Sequence, residues 1–295
     1  MSAPTQKPIQ FTEISESDAT TTYTLERVLW SGDTKACPGV MIAESPAYGR
    51  VLFLDGELQS ASSDEHIYHE SLVHPVMGSA TGALGHRLRV LVVGGGEGAT
   101  VREVLHWKPA VVDWVDIDGE LVILCEKYLN WALGTRQDPA VTFYPEDIRT
   151  FLDRAGTYDV IILDLPDPDG DTGYLYSAAF WKDLDAHLVA GGRIVTHVGP
   201  VSPAIKKVLF GPGYERVRTE AAVAGFYFDP VGFYHSCIPS FQGDWGFAGT
   251  VKGGGGSFFG FDPAAVQTKI PYIRVADKRQ MEIWANPPLV WRPTL

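Results

Sequence analysis

Cysteine is scarce in this chain: Cys37, Cys125 and Cys237 are the three in 295 residues, and none is spaced for a redox pair or a metal knuckle. That sparing use suits a reduced, cytoplasmic protein, which is the expectation carried forward. No apolar run approaches the roughly 18–20 residues a membrane-spanning helix needs, so no membrane partner is expected. The first ten residues are polar and lack the apolar centre of a secretion signal. Positive charge is also in deficit, with 24 basic against 36 acidic residues and a formal charge of −12. A nucleic-acid partner normally calls for a basic stripe, so none is expected, whereas a cationic partner suits the balance. Three catalytic signatures are missing as well. There is no Gly-Lys-Ser/Thr phosphate loop, no His-Glu-x-x-His metal helix and no Gly-x-Ser-x-Gly elbow after a strand.

What is present is an ordinary globular composition, 45% hydrophobic and 20% charged, enough for one or two domains. Residues 1–22 are Thr-, Ser-, Pro- and Gln-rich without an apolar period and read as a loose arm. Residues 23–63 have β texture: Thr24–Trp30, Val40–Ala43 and Arg50–Leu54 are short segments separated by Gly, Pro and Asp. Asp55-Gly56 marks a hairpin turn between two of them. This makes a small N-terminal antiparallel β domain. At Asp64, a candidate cap, a helix begins and runs to about Met77. From there strands and helices alternate: 89–93, 111–118, 141–144, 158–163 and 193–197 read as strands, with helices at 99–107, 119–129 and 177–188 between them. The spacing predicts an α/β fold over 64–295 with a mostly parallel sheet covered on both faces. Beyond Gly199 a helix at 202–210 and β segments at 226–228, 233–237 and 245–251 are expected.

Parallel sheets hold ligands at the carboxyl ends of their strands, so those residues carry the functional argument. After the first strand comes Gly94-Gly95-Gly96-Glu97-Gly98, a tight turn that lets backbone approach a ligand closely. Glu97 would repel a pyrophosphate, so an uncharged or cationic ligand fits better. Asp116-Ile117-Asp118 ends the second strand, where an acid can accept from both ribose hydroxyls, although Asp118 can equally be a helix cap. Glu146-Asp147 ends the third, where Asp147 can accept an adenine amino proton. These ends describe an adenosine pocket with no phosphate binder. After the fourth strand, Asp164, Asp167, Asp169 and Asp171 fall within eight residues. They are either solvated turn residues or a cation site whose acids, held by Pro166 and Pro168, grip an ammonium group and take its proton.

Taken in order, several segments resemble the polyamine aminopropyltransferases, the spermidine, spermine and thermospermine synthase family. They are Leu54-Asp55-Gly56-Glu57-Leu58-Gln59, Asp64-Glu65-His66-Ile67-Tyr68-His69-Glu70, the Gly94–Gly98 turn, Asp116-Ile117-Asp118-Gly119, Asp164-x-x-Asp167-Pro168, Leu175-Tyr176, Ile238-Pro239-Ser240-Phe241 and Trp245-Gly246-Phe247. The likeness spans about residues 48–251. Glu97, where spermidine synthases usually carry Asp, and the segment 238–247 look closer to the thermospermine branch. The resemblance implies a Rossmann-like, methyltransferase-type fold, a homodimer or homotetramer, and decarboxylated S-adenosylmethionine as co-substrate without a metal. It implies that Asp164 accepts the proton and Asp167 holds the amine. It places Glu97 on the amino group of the aminopropyl donor, Asp116 with Ile117 at the ribose, and Asp147 with Glu146 at the adenine, over the Gly94-Gly95 backbone. Tyr68 and His69 would line the shared centre, Gln59 the entrance, and Tyr176 and Trp245 the polyamine channel. One departure stands out: the family usually has a Tyr-Gln pair on an early strand, and this chain aligns Pro38 there.

His66, His69, Glu70 and His74 share one helical face and can be read as metal ligands or as a pocket wall. The aromatics at 226–234 and Trp245 can be core, or can pack along polyamine methylenes with cation–π contacts. Rival functions are an S-adenosylmethionine-dependent N-methyl- or alkyltransferase on the same scaffold, and a non-catalytic polyamine-binding protein. Glu97 argues against the first, because the methionine tail carries a carboxylate. The Asp164–Asp167 pair argues against the second, because binding alone needs no base.

Overall fold

In the computed structural model of the chain, the described residues are 8–14, 20–167, 173–201, 212–228, 232–254, 257–270 and 273–286. Strand β1 (Ile9–Ile14) pairs antiparallel with β2 (Thr20–Leu25), so this part of the chain is a ladder and not the loose arm its composition suggests. Two contacts account for it. Phe11 packs on Phe53 with ring centroids 4.5 Å apart, and the Tyr23 hydroxyl donates to Glu13 at 2.7 Å. A lone aromatic in a run of Thr and Gln is too thin a pattern to read as a strand in advance.

The segment 24–30 is not one strand either. β3 (Arg27–Gly32) starts after Glu26, whose N–H turns to the carbonyl of Glu44 at 2.7 Å. With β4 (Val40–Ser45), β5 (Gly49–Leu54) and β6 (Glu57–Ala61) it forms a four-stranded antiparallel sheet. Asp55 and Gly56 both take positive φ, 49° and 89°, the turn that joins right-twisted strands most tightly.

Helix α1 (Glu65–Leu84) continues past Met77, and Gly78 and Gly82 in its second half leave room for Phe261. Asp64 does not cap it. Its carboxylate accepts the Ser240 N–H at 2.7 Å instead, tying the helix start to the far end of the chain.

Next come β7 (Arg89–Gly94), α2 (Ala99–Leu105), β8 (Val111–Asp116), α3 (Gly119–Tyr128), β9 (Val141–Pro145), α4 (Ile148–Leu152) and β10 (Tyr158–Asp164). After them follow α5 (Ala178–His187), β11 (Leu188–Val201), α6 (Pro212–Ala222), β12 (Phe233–Ile238), β13 (Gly243–Val251), α7 (Pro263–Lys269) and α8 (Lys278–Ala285). One seven-stranded sheet runs β12-β13-β11-β10-β7-β8-β9, parallel from β11 to β9 and antiparallel at β12 and β13. This is the mostly parallel α/β sheet the alternation predicts. The helix expected at 202–210 lies outside the described residues. Residues 226–228 are not a strand: Phe226 and Phe228 are buried against Trp181, at 5.8 and 5.7 Å between centroids.

Both faces of the sheet are covered, as near-continuous apolar strands require. Val90, Val92, Val160 and Ile162 face a core shared with Leu72, Val76 and Val104, while Leu91, Val93, Ile161 and Leu163 face one shared with Phe180 and Leu184. Strand order reverses between β7 and β10, because the chain moves outward from β7 to β9 and then returns to β10 on the other side. Such a reversal opens a crevice at the strand ends, and Gly94 lies opposite Asp164 there.

Candidate active site

The crevice is a cavity of about 660 Å³ walled by the ends of β7, β8, β9, β10 and β11, by α1, and by the segment 36–37 before β4. The turn after β7 is backbone pressed against backbone. Gly94 and Gly95 have φ of 83° and 71°, and a Cβ on Gly95 would sit 2.8 Å from Asp164 Oδ2. The Gly95 N–H donates to the Asp164 carbonyl at 2.8 Å. No other residue type fits both the angle and the space.

Asp164 is held by two hydroxyls. Tyr68 donates to Oδ1 at 2.8 Å and Thr100, in the first turn of α2, donates to Oδ2 at 2.6 Å. Burial, reinforced by the Asp164 charge, pushes the Tyr68 phenol well above its usual value, so it stays a donor. The carboxylate is thereby fixed in rotation with lone pairs left over for a third partner.

Glu97 and His69 begin a chain of alternating charge leading away from the cavity. His69 Nε2 is 2.5 Å from Glu97 Oε1, and its Nδ1 lies 3.0 Å from Glu65 Oε2. Arg102 grips Glu65 through both oxygens, at 3.0 and 2.8 Å, and reaches Glu103, which meets His74 at 3.2 Å. Burial alone would depress His69, but the Glu97 charge and hydrogen bonds to Glu65 and Glu97 outweigh it and hold the imidazolium well above the usual range. Burial likewise opposes ionisation of Glu65, yet its bonds to His69 and Arg102 bring it down to about 2. These shifts make the two ends acid- and base-sensitive in opposite senses. Stability from Glu65 is lost as pH falls toward 2, and stability from His69 is lost only as pH climbs past its raised value. Glu97 Oε2 remains buried with no hydrogen-bond partner among the described residues. A buried carboxylate oxygen left open on a cavity wall calls for a cationic donor.

At the opposite end Asp116 is 9% exposed and accepts the Asp118 N–H at 2.8 Å. Burial, only partly offset by that bond, raises its carboxyl to about 7. Asp118 is a helix cap: it accepts from Leu121 N at 3.0 Å and from the Thr34 hydroxyl. Ile117 is an exposed apolar side chain on the cavity wall. Asp147 caps α4 and pairs with Arg149, whose hydrogen bond holds it below the usual carboxylate range, while Glu146 pairs with Arg154. An adenine amino group at Asp147 would therefore join donors already in place.

The last wall holds Asp167, His197, Tyr174, Leu175, Phe241 and Trp245, with the exposed Gln59 at the rim. Tyr176 is the exception among the expected site residues. It is fully buried with its hydroxyl 3.5 Å from Thr196, so it supports the wall from behind and Tyr174 and Leu175 face the cavity in its place. Asp169 and Asp171 lie outside the described residues. Where the family's early Tyr-Gln pair is replaced, Ala36 and Cys37, just before Pro38, reach the cavity. The histidine face of α1 is divided among separate partners: Glu70 accepts four hydrogen bonds from the N–H groups of Arg274, Val275 and Ala276, and His74 accepts from Trp107. Among the described residues there is no cluster of three or more His, Cys, Asp or Glu able to hold a metal.

Sequence reasoning missed Thr100, His197 and the Glu65–Arg102 pair. His197 was within reach of the rule that found the others, since it follows the core of the fifth parallel strand. Thr100 was not, because its role depends on how α2 leans against the end of β10.

Comparison with known proteins agrees with this fold. Residues 65–253 match the family model described as the spermine/spermidine synthase domain, and residues 9–62 the one described as the spermidine synthase tetramerisation domain. Polyamine aminopropyltransferase 2 of Pseudomonas aeruginosa is 40% identical over 232 residues, 76% of this chain and 62% of that protein. Polyamine aminopropyltransferase of a Synechococcus strain is 39% identical over 214 residues, 71% of this chain and 66% of that protein. The chain thus spans slightly under two thirds of the length of these curated relatives. Two solved structures share the fold. A spermidine synthase from Thermotoga maritima has a TM-score of 0.81 at 20% identity, covering 98% of this chain and 94% of that one. A spermidine synthase in complex with the transition-state analogue AdoDATO has a TM-score of 0.84 at 22% identity, covering 98% and 95%. With its matched domain covering residues 65–253 and the strand-end acids standing around one cavity, the chain belongs to the spermine/spermidine synthase family.

Proposed function

We propose that the protein is a polyamine aminopropyltransferase, moving the aminopropyl group of decarboxylated S-adenosylmethionine to a terminal nitrogen of a polyamine and releasing methylthioadenosine. The observation that carries this reading is the open, buried oxygen of Glu97. The aminopropyl tail offers it an ammonium, whereas intact S-adenosylmethionine would bring a second carboxylate beside it. The glycine turn and Asp116 suit the uncharged nucleoside, and the Glu97 and Asp116 carboxylates beside it would repel a phosphate. We further place the enzyme as a cytoplasmic homo-oligomer, dimer or tetramer, in keeping with the tetramerisation-domain match of residues 9–62.

The chemistry follows from the side chains. A sulfonium is already a good leaving group, so no acid is needed at sulfur. The amine is the difficulty: with a pKa near that of lysine, about 10.4, it is neutral in only about one molecule in a few thousand at pH 7. Asp167 holds the ammonium form and Asp164 accepts its proton as the nitrogen attacks the carbon next to sulfur. The C–S bond breaks as the C–N bond forms, and its electron pair stays on sulfur as a neutral thioether. Tyr68 and Thr100 keep Asp164 in one orientation, and alignment of nitrogen, carbon and sulfur supplies much of the remaining acceleration.

Two outcomes test the reading. Purified protein given the decarboxylated donor should extend spermidine in preference to putrescine, as a longer chain can lie along Phe241 and Trp245, whose rings are 4.8 Å apart. Comparing kcat/KM for the two amines checks this, and a clear putrescine preference would sink the triamine assignment. The nucleoside end has a pH signature. Ribose hydroxyls donate to ionised Asp116, whose carboxyl titrates near about 7, so binding favours loss of its proton. Methylthioadenosine affinity should therefore weaken as pH drops below 7, approaching about tenfold per pH unit, and D116N should bind weakly at every pH. A flat wild-type profile would remove Asp116 from the ribose.

A further inference from the structure

His197, at the end of the fifth parallel strand, is 3% exposed and reaches the amine end of the cavity. Its Nε2 lies 2.5 Å from the Leu165 carbonyl, which can only accept, so this nitrogen carries a proton. Its Nδ1 is approached from two sides by groups with incompatible demands. Trp245 Nε1, which can only donate, is 3.3 Å away, and Asp167 Oδ1, which as a carboxylate can only accept, is 3.5 Å away. The ring also lies nearly parallel to the Trp245 indole, at 22° and 6.2 Å between centroids, with the Tyr68 ring 6.0 Å away. The ionisable groups set against it are Asp167 from the loop after β10, Tyr68 from α1 and, bonded to Tyr68, Asp164.

One nitrogen cannot serve both neighbours. A neutral ring accepts from Trp245 and turns a lone pair toward the Asp167 carboxylate. A protonated ring donates to Asp167, leaving the indole N–H without its acceptor. The two states therefore differ in who neutralises Asp167, and a substrate ammonium competes for that carboxylate.

We propose that His197 is a specificity-determining residue of the amine site: neutral, it hydrogen-bonds Trp245 and gives the Asp167 charge to the incoming ammonium, and protonated, it takes the ammonium's place. This rests on the functional reading above, in which Asp167 holds the amine. It makes amine binding a proton-releasing event wherever the ring starts out protonated, and it gives Trp245 a second task beyond packing, because its N–H favours the binding-competent ring.

Calorimetric titration of spermidine into protein saturated with methylthioadenosine, in two buffers of different ionisation enthalpy, reads the released proton directly. Wild type should release up to one proton per spermidine near the acid limit and none at alkaline pH, and H197Q should lose this component. In steady state the apparent KM for spermidine should rise as lower pH protonates the ring, approaching about tenfold per pH unit, while H197Q is flatter. W245F, which removes the donor to the neutral ring, should move the rise to higher pH. Proton release that persists unchanged in H197Q overturns the inference, as does a wild-type titration with no proton exchange. The wild-type and W245F measurements decide the matter even if H197Q fails to fold. Absence of aminopropyl transfer would defeat the functional reading, yet the calorimetry would still report on His197. Spermidine that does not bind at all would defeat both.

Discussion

Asp164→Asn should lower turnover by roughly 10²–10⁴, the usual contribution of a positioned general base, while methylthioadenosine affinity changes little. The amide preserves size and one acceptor oxygen, so the Tyr68 or Thr100 hydroxyl can still be met at the 2.8 or 2.6 Å seen for the carboxylate. What it cannot do is take the proton. The measurement is kcat at saturating spermidine and donor, with nucleoside binding measured separately. Near-normal kcat would show that another group removes the proton, and a parallel collapse of nucleoside binding would show that the substitution disturbed the β7–β10 crevice as a whole.

The second large effect belongs to Glu97→Gln. Removing one partner of a buried charge pair typically costs about 2–5 kcal/mol, so affinity for decarboxylated S-adenosylmethionine should fall by ~30-fold or more. Methylthioadenosine, which has no ammonium tail, should bind within a few-fold of wild type. The variant should also gain tolerance for intact S-adenosylmethionine, since the repelling charge has gone. A uniform loss across all three ligands would mean that Glu97 acts by shaping the turn, or through His69 at 2.5 Å, and does not meet the donor's tail.

The strand ends were legible because a parallel sheet turns sequence order into spatial convergence. Glu97, Asp116, Asp147 and Asp164 follow four successive apolar runs, and the crevice gathers them with no long-range guess required. The hairpin at Asp55-Gly56 was legible for a local reason, the positive φ that turn demands. Other features are set by partners far away in the chain. Asp64 looked like a cap and bonds Ser240 instead, 176 residues on. Residues 9–14 became a strand because Phe11 found Phe53. Tyr176 was placed on the channel by resemblance, but its backbone, at φ 62°, sends the side chain into the core, and neighbouring Tyr174 and Leu175 take the wall. The charge chain behind Glu97 was invisible for the same reason. Glu65 and His69 stand at i, i+4 on α1, but nothing in the spacing announces that α2 brings Arg102 to Glu65, at 3.0 and 2.8 Å.

In the proposed function donor choice turns on Glu97's unpaired oxygen, and a competition measures it most directly. Wild-type protein is given spermidine with decarboxylated and intact S-adenosylmethionine in equal amounts, and the product amine is weighed by mass spectrometry. A gain of one aminopropyl unit, with no methylated amine, is the expected result. A gain of one methyl group would contradict the account, because it would place the methionine carboxylate against the open oxygen of a buried glutamate.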